Sequence, residues 1–411
     1  MKSIAMRPLF SFCLVLATPF FATAQYKNDN KLFKTVYIED LCRQLNANPN
    51  HLILDVRSKG EYEDTSASIN LNLGHLRNAK NIDIRELPAR WKEISDYKDK
   101  PVFVYCSHSQ RSRRASKLLS DSGFVNVINI NGGLTTFNIM QLAIADCRQK
   151  LYESKTDYPI YSAKDVCNYM IGTTWIDIRD DSSYNGISKN EYLNPWGKVK
   201  HAIHIPFASL ESSLDKIPKG NFIIIIDEYG AESPKAAKLL KEKGFRHPGI
   251  LMGGIEAISA VEVVAKGKGC KNDWWIPTRT YNLLNAEEFN DFVKKNSNTL
   301  LLDVRTEEEF QNKSKETYRN VGHINNAINI PFASLSSKMS DLEKDKNRPI
   351  VIYAFAGQPE IYNTAKSLTD KGFTNVNVLL GGVFNLRWRA ANIKGKEHLK
   401  DWVVDVPVEN L

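Results

Sequence analysis

An internal repeat is the sequence feature that most constrains the fold. Each copy has an apolar stretch, then Asp-Val-Arg or Asp-Ile-Arg, then four residues and an aromatic side chain. The copies run from Asp55 to Tyr62, from Asp177 to Tyr184 and from Asp303 to Phe310, and each repeat closes on a double glycine, at 132–133, 253–254 and 381–382. A period of about 110 to 120 residues predicts three copies of one domain.

Strands alternate with helices inside each repeat. A second apolar strand (102–105, 222–226, 350–353) leads into a loop, a helix (112–122, 233–243, 360–371), a Gly-Phe pair and a third strand. Parallel strands need helical crossovers, which cover both faces of their sheet. The pattern therefore predicts the α/β class, with one parallel sheet flanked by helices in each of the predicted domains 32–150, 158–270 and 279–400.

The first 24 residues have the pattern of a secretory signal. Two basic residues precede the apolar run 9–21, and Ala22-Thr23-Ala24 follows it. We expect cleavage after Ala24 and a secreted or periplasmic protein. A buried N-terminal helix is the alternative, although Pro8 and Pro19 bracket the run. No later stretch approaches ~20 apolar residues, so no membrane span is expected.

The charge is mildly basic. The formal net charge is +8, and removal of Lys2 and Arg7 with the signal leaves +6. Lysines and arginines are spread over all three repeats, so the balance does not indicate a nucleic-acid partner. One dense cluster stands out, at Arg111, Arg113 and Arg114.

A cysteine precedes this cluster. Cys106 ends the second strand of repeat 1, and the next helix is expected to begin about six residues later. Unpaired amides at a loop and helix start stabilise a thiolate, a persulfide anion or an oxyanion. The structural alternative is a cysteine that packs as a small hydrophobe. The three arginines lie at the positive end of the helix dipole, where an anionic ligand would relieve their repulsion, unless they form a solvated face.

Repeats 2 and 3 lack this chemistry. Asp227 and Ala354 stand where repeat 1 has Cys106, and Glu232 and Pro359 replace Arg111. Neither repeat can form a persulfide. They could serve as scaffolding, as a lid over the Cys106 mouth, or as a docking surface for a protein partner.

Asp-Val-Arg, Gly-His, the strand-end Cys106 with Arg111 five positions later, and the closing Gly-Gly together resemble rhodanese domains over nearly the whole mature chain. The resemblance implies a doubly wound, five-stranded parallel sheet per repeat. It also implies a reaction in which Cys106 takes a sulfane sulfur from a small anionic donor such as thiosulfate and passes it to cyanide or a thiol. The loop length resembles that of sulfurtransferases, because phosphatases and arsenate reductases on this fold have one residue more.

The resemblance assigns roles to the loop. Cys106 would be the nucleophile and persulfide carrier. Arg111, with His108 and Arg113, would hold the anionic group of the donor. Backbone amides would cradle the persulfide, namely those of Ser107, His108, Ser109, Gln110, Arg111 and Ser112. No cofactor and no metal are implied.

Three other residues are predicted to be structural, because their equivalents persist in the repeats without a cysteine. Asp55 and Arg57 are expected to form an ion pair or backbone clamp at a strand end. His75 is matched with His201 and His323 and receives no catalytic role.

Five cysteines remain after signal removal, which leaves one unpaired in an oxidising compartment. Cys42 and Cys167 occupy matching positions in their repeats, and Cys147 and Cys270 both follow the Gly-Gly helix. We therefore predict disulfides Cys42–Cys147 and Cys167–Cys270, with Cys106 free. A link between Cys147 and Cys167 is the main alternative.

Three classes of function fit the sequence. A sulfurtransferase is favoured by the loop length and by Cys106 with its cationic surroundings. A non-catalytic binding or scaffold protein of the cell envelope is the alternative, favoured by two repeats without a cysteine. A phosphatase, arsenate reductase or thiol oxidoreductase is third, and the chain has no C-x-x-C motif to support the redox version.

Overall fold

A computed structural model describes residues 33–166, 172–261, 274–342 and 344–407. The predicted signal at 1–24 lies outside these ranges. Each repeat forms one five-stranded parallel sheet flanked by helices, so the predicted α/β class and the three-fold repetition are confirmed.

Repeat 1 has the sheet order β1-β6-β5-β2-β4. Its strands are β1 (Lys34–Val36), β2 (Leu52–Asp55), β3 (His75–Leu76), β4 (Lys80–Asn81), β5 (Val102–Tyr105), β6 (Val127–Ile130) and β7 (Tyr152–Glu153). Its helices are α1 (Leu41–Ala47), α2 (Lys59–Tyr62), α3 (Leu87–Arg90), α4 (Gln110–Asp121), α5 (Gly133–Ile139) and α6 (Ala145–Leu151).

Repeat 2 has the equivalent order β8-β13-β12-β9-β11. Its strands are β8 (Ile160–Tyr161), β9 (Thr173–Asp177), β10 (Lys198–Val199), β11 (Ile203–His204), β12 (Phe222–Ile226), β13 (Pro248–Leu251) and β14 (Trp275–Ile276). Its described helices are α7 (Ala163–Val166), α8 (Asp181–Asn185), α9 (Ser233–Glu242) and α10 (Gly254–Ser259).

Repeat 3 repeats this order as β15-β20-β19-β16-β18. Its strands are β15 (Asn282–Leu284), β16 (Leu300–Asp303), β17 (His323–Ile324), β18 (Ile328–Asn329), β19 (Ile350–Tyr353), β20 (Val376–Leu379) and β21 (Val403–Val404). Its helices are α11 (Ala286–Lys295), α12 (Glu307–Phe310), α13 (Leu335–Leu342), α14 (Pro359–Asp370) and α15 (Gly382–Asn392).

The core of repeat 1 lies on both faces of its sheet. All four residues of β5 are buried, as expected for a central parallel strand. Phe103 and Tyr105 belong to the apolar cluster on one face, and Val102 and Val104 to the cluster on the other. Successive side chains of a strand point to opposite faces, so Cys106 joins the face of Val104 and packs beneath α4.

An ion pair fixes the carboxyl end of β2, as predicted. Arg57 and Asp55 are fully buried, with Arg57 Nη2 2.7 Å from Asp55 Oδ2 and 2.8 Å from the carbonyl oxygen of Gly74. Gly74 has φ +72°, and a Cβ there would lie 2.5 Å from the carbonyl oxygen of Glu153. Repeats 2 and 3 contain the same arrangement, formed by Asp177, Arg179 and Gly197 and by Asp303, Arg305 and Gly322. The pair is therefore part of the scaffold.

The predicted match between His75 and His201 is wrong. His75 directly follows Gly74 on β3, and the equivalent strand of repeat 2, β10, begins with Lys198 after Gly197. His201 lies beyond that strand, at φ +66°. The sequence comparison aligned the two histidines, whereas the structure aligns the two glycines, Gly74 and Gly197, whose carbonyl oxygens accept hydrogen bonds from the buried arginines. In repeat 3 the equivalent residue is His323 on β17, as predicted.

All three repeats contact one another. Repeat 2 shares an apolar cluster with repeat 3. Repeats 1 and 2 are joined by the hydrogen bond from Gln141 Nε2 to Ile160 O (2.9 Å), and repeats 2 and 3 by the ring contact of Trp196 with Tyr362 (5.4 Å between centroids). Repeats 1 and 3 are joined by the hydrogen bond from Asn131 Nδ2 to Ala391 O (3.0 Å). Repeat 3 therefore packs on repeat 1 as well as on its neighbour in the chain.

The predicted disulfide between Cys42 on α1 and Cys147 on α6 is confirmed, which excludes the alternative link of Cys147 to Cys167. Within the described ranges, Cys106 is the free cysteine. The predicted pair Cys167–Cys270 lies outside the described residues.

Among the helices of the described residues, none combines the length and the apolar character that a membrane crossing requires.

Candidate active site

Cys106 directly follows β5 at the carboxyl edge of the sheet. The residue exposes only 1% of its surface and packs among apolar side chains such as Leu54 and Ala115. Its Sγ lies 3.7 Å from Ser112 Oγ on the first turn of α4. The thiol therefore lies beneath its loop. A reagent reaches the sulfur only if the reagent is small or if the loop opens.

The loop is shorter than the sequence indicated. Helix α4 begins at Gln110, four residues after Cys106, so the prediction of about six was wrong. Ser109 is the N-cap and has φ +73°, a left-handed conformation that few residues other than glycine adopt. This turn at Ser109 brings the helix start close behind the sulfur.

The backbone N–H groups of this loop are the main feature of the site. No acceptor within the described residues bonds to the amides of Ser107, His108, Ser109, Gln110, Arg111 and Ser112. The first hydrogen bond of the helix is donated by Arg113, to Ser109 O (3.0 Å). Unpaired amides at a helix start carry partial positive charge and favour an anion nearby.

The double glycine takes up the carbonyl groups of the same loop. Leu134 N donates to Cys106 O and Thr135 N donates to Ser107 O, each at 3.0 Å. Gly133 has φ +56°, and a Cβ there would collide with the carbonyl oxygen of Cys106. The carbonyl groups are thus bound to the start of α5, and the amides are left for another partner.

Repeat 2 shows what the equivalent amides bind. Asp227 occupies the position of Cys106, and its carboxylate accepts hydrogen bonds from three backbone amides of its own loop. The donors are the N–H groups of Gly230, Glu232 (2.5 Å) and Ser233 (2.7 Å). Counted from the strand end, these positions correspond to Ser109, Arg111 and Ser112 of repeat 1. This loop geometry therefore directs amides toward a negative charge at the strand end.

Repeat 3 satisfies its loop differently. Ala354 takes the place of the cysteine, and the Ala356 amide donates to the side chain of Gln358, at 2.7 Å. Pro359 begins α14 and has no N–H group at the position of Arg111. This loop offers no anion site of the kind seen in repeat 2.

Arg111 is bound to an acid that the sequence did not indicate. Its guanidinium makes a two-pronged ion pair with Glu61, at 2.6 and 2.7 Å, and also donates to Ser107 Oγ (2.8 Å). Burial alone would raise the pKa of Glu61, but the hydrogen bonds and charge of Arg111 outweigh burial and hold the pKa below its usual value. The Nε–H of Arg111 has no acceptor in the described chain, so it remains available to a ligand.

The other two arginines of the cluster differ from each other. Arg113 is buried, and its Nη2 donates to Asn131 Oδ1 (3.0 Å) and to the carbonyl of Ala391 in repeat 3 (3.2 Å). Arg114 is exposed. The Arg113 guanidinium thus donates to groups outside the loop, whereas the Arg111 guanidinium donates to Ser107 within it.

His108 lies at the outer side of the loop. Its Nε2 is 3.0 Å from Thr135 Oγ1, and its carbonyl accepts a hydrogen bond from Trp388 Nε1 of repeat 3 (3.0 Å). Part of the residue remains exposed. Desolvation of the ring and the positive charge of Arg111 both lower the pKa of His108. The ring is therefore neutral near pH 7 and adds no permanent charge.

Four residues of the site escaped sequence reasoning, namely Glu61, Asn129, Asn131 and Trp388. Ser58 and Glu61 form a capping box at α2, which the S-x-x-E spacing signals, but that motif does not reveal the pairing with Arg111. The two asparagines stand where repeats 2 and 3 have apolar residues, a difference that a comparison of the repeats could have found. Nothing in the sequence indicates that Trp388 contacts repeat 1.

We predict that Arg111→Ala lowers the free energy of unfolding by roughly 2 to 4 kcal/mol at pH 7, because it leaves the buried carboxylate of Glu61 without its cation. The loss should shrink as pH falls through the lowered pKa of Glu61, since the protonated acid needs no counter-charge. Urea unfolding at pH 7 and at successively lower pH measures both effects.

Two variants control this prediction. Arg114→Ala removes an exposed cation from the same helix and should change the free energy by less than about 0.5 kcal/mol. Adding Glu61→Gln to Arg111→Ala should restore much of the lost stability. Equal stability of the Arg111 and Arg114 variants would contradict the role given to the ion pair.

Similar proteins share the repeat unit. The rhodanese-like domain family matches residues 38–139, 162–261 and 285–387. YqhL of Bacillus subtilis is 37% identical over 81 residues, which cover 20% of this chain and 56% of that protein. The tRNA uridine(34) hydroxylase of Cytophaga hutchinsonii is 32% identical over 93 residues, 22% of this chain and 27% of that protein. The chain thus spans between about a quarter and about half of these relatives.

Solved structures align with one repeat or with several. A thiosulfate sulfurtransferase from Pseudomonas aeruginosa aligns over 84% of this chain and 66% of its own, at 16% identity and a TM-score of 0.23. A rhodanese-related protein from Thermoplasma volcanium aligns over 25% of this chain and 89% of its own, at 31% identity and a TM-score of 0.21. The family match covers most of the chain in three segments, and each segment contains the same five-stranded sheet. The protein therefore belongs to the rhodanese-like family.

Proposed function

We propose that the protein is a sulfurtransferase that carries sulfane sulfur as a persulfide on Cys106. The Cys106 thiolate attacks the outer sulfur of thiosulfate, the S–S bond of the donor breaks, and sulfite leaves with the electron pair. Cyanide or a thiolate then attacks the terminal sulfur of the persulfide. Thiocyanate or a new persulfide is released, and the Cys106 thiolate is regenerated.

One observation carries the proposal. The amides around Cys106 have no acceptor within the described chain, while the equivalent amides of repeat 2 bind the Asp227 carboxylate. A thiolate or persulfide at Cys106 would supply the negative charge that the Asp227 carboxylate supplies in repeat 2. If the repeat 1 amides point as those of repeat 2 do, they would stabilise the anion without further rearrangement.

Arg111 serves the donor in this proposal. Its ion pair with Glu61 fixes the guanidinium beside the loop, and its Nε–H is available to a sulfonate oxygen of thiosulfate. Ser107 and Arg111 bond to each other, so the arginine also steadies the loop. Arg113 and the neutral His108 contribute through the contacts of the loop rather than through charge on the donor.

A non-catalytic binding or scaffold protein of the cell envelope is the second candidate. The 1% exposure of Cys106 favours it, because a sulfur so well covered is also what a packing role would produce. Asp227 and Ala354 exclude persulfide chemistry from the other two repeats. Under this alternative, Cys106 would be as inert as its apolar neighbours.

We also propose that the protein is exported. The Cys42–Cys147 disulfide supports this, since disulfides persist mainly in oxidising compartments. The mature chain should begin at Gln25, which N-terminal sequencing of protein recovered outside the cytoplasm would test. A chain that retains residues 1–24 would contradict export by cleavage.

The first test of the sulfurtransferase is activity. The wild-type protein with thiosulfate and cyanide should form thiocyanate, and Cys106→Ala should reduce the rate to background because no other group on the proposed pathway accepts the sulfur. Mass spectrometry after incubation with thiosulfate alone should find one extra sulfur atom on the peptide that contains Cys106. Thiocyanate formation at equal rates by both proteins would remove Cys106 from the mechanism.

The second test addresses the amides without requiring activity. Cys106→Asp should fold and differ from the wild type by no more than about 1 kcal/mol in free energy of unfolding, because the loop amides accept the carboxylate as they do in repeat 2. Urea unfolding measures the difference. The variant should form no thiocyanate.

Ala354→Asp is the matched control. It introduces the same carboxylate at the equivalent buried position of repeat 3, where Pro359 lacks one of the required N–H groups. An unpaired buried charge should cost roughly 3 to 5 kcal/mol. An equal loss of stability in both variants would show that the amides of repeat 1 do not converge on the sulfur.

A further inference from the structure

A chain of buried polar side chains leads away from the sulfur. The single proton of the Ser112 hydroxyl has two acceptors in reach, Asn129 Oδ1 (2.6 Å) and Ser109 O (3.0 Å). Donation to the nearer Asn129 leaves the hydroxyl oxygen to accept from the thiol of Cys106 at 3.7 Å. Asn129 Nδ2 donates to Asn131 Oδ1 (2.8 Å). The asparagines expose 0% and 2% of their surface, so each amide group depends on these bonds for its polar partners.

The chain is specific to repeat 1. Counted from the double glycine, Asn129 corresponds to Ile250 in repeat 2 and to Val378 in repeat 3. Asn131 corresponds to Met252 and Leu380. The fold is therefore built with apolar residues at both positions elsewhere in the same protein, and the two amides are not needed to form the sheet.

The far end of the chain lies in repeat 3. Asn131 Nδ2 and Arg113 Nη2 both donate to the carbonyl oxygen of Ala391, at 3.0 and 3.2 Å. Ala391 is in the last turn of α15, where carbonyl groups lack helical partners and the helix dipole is negative. A buried arginine and an amide donor thus bind the one end of α15 that attracts positive charge.

A second contact from the same helix reaches the loop directly. Trp388 lies three residues before Ala391, and residues at this spacing share one side of a helix. Its Nε1 donates to the carbonyl of His108 (3.0 Å), which is two residues from Cys106. Lys394, just beyond α15, adds an ion pair with Asp40 of repeat 1 (2.9 Å).

We propose that repeat 3 is an intramolecular positioning element for Cys106. The last turns of α15 hold the loop at two points, through Trp388 at the His108 carbonyl and through Ala391 at the asparagine chain. These contacts keep the loop amides in place around the sulfur and keep the thiol covered until a small anion enters. Trp388, Asn129 and Asn131 are positioning residues, because they act through the loop and through Ser112.

The consequence for sulfur transfer depends on the proposed function, but the positioning itself does not. It can be measured as the rate at which the folded protein is alkylated at Cys106 by iodoacetamide, without donor or acceptor, with the modified peptide identified by mass spectrometry. Trp388→Phe keeps an aromatic ring and removes the N–H donor. Its alkylation rate should rise about fivefold, the factor that one hydrogen bond of typical net strength represents.

Two further variants make the test specific. Trp402→Phe removes another indole donor of repeat 3, whose partner is Asn290 within the same repeat (3.1 Å), and should leave the rate unchanged. Asn131→Leu introduces the residue that repeat 3 has at this position, breaks the contact with Ala391, and should raise the rate at least as much as Trp388→Phe. The unfolding temperature of each variant shows whether the reacting protein is folded.

The proposal fails if folded Trp388→Phe is alkylated at the wild-type rate, and equally if Trp402→Phe produces the same increase. In an active enzyme, Trp388→Phe should raise the KM for thiosulfate more than it changes kcat, since the loop holds the donor. A wild-type protein without thiosulfate turnover would contradict the proposed function, and the alkylation rates would still decide whether repeat 3 positions the loop.

Discussion

The structure of each repeat depends on how the amides between the second long strand and the following helix are satisfied. A short loop at the end of a buried strand leaves several N–H groups without carbonyl partners. Repeat 2 binds them to the Asp227 carboxylate, and repeat 3 uses Gln358 and removes one donor with Pro359. In repeat 1 they have no acceptor among the described residues, and the strand before them is followed by Cys106. The three repeats thus place three different groups at these amides: the Asp227 carboxylate in repeat 2, the neutral Gln358 amide in repeat 3, and in repeat 1 the Cys106 thiol, which can ionise.

The parts that build the loop are common to all three repeats. The buried Asp–Arg pair fixes the carboxyl end of one strand, and the double glycine lets the next helix approach close enough to take up the loop carbonyls. Among the described residues, neither part forms a hydrogen bond with the sulfur of Cys106. Scaffold and chemistry are therefore separable, which explains how two repeats retain the fold while lacking the cysteine.

Sequence reasoning found the scaffold because its signals are local. The strands at 102–105, 222–226 and 350–353 have the predicted bounds, since short apolar runs between turn residues leave little choice. The start of α4 was misplaced because it depends on a left-handed serine, Ser109, which carries no glycine signal. The partner of Arg111 was missed because Glu61 lies 50 positions away and is brought near only by packing. The contact of Trp388 with the loop is more distant still and depends on how whole repeats pack.

The asparagine chain illustrates the cost of this arrangement. Two buried amides, one on β6 and one just after it, must each find partners, and their last partner is a carbonyl in another repeat. A sheet of this family forms with apolar residues at these positions, as repeats 2 and 3 demonstrate. Repeat 1 instead buries two amide groups that need hydrogen-bond partners, and these groups connect its loop to repeat 3.

The bond between Arg113 and Ala391 joins residues 278 positions apart in the chain. Contacts of such separation close late, because the entropy of bringing distant segments together must be met first. Repeat 1 is synthesised first and contains all of its own sheet and both cysteines of its disulfide. The surroundings of the sulfur are consequently completed only when α15 of repeat 3 has been made, so that docking of repeat 3 precedes the final form of the Cys106 loop.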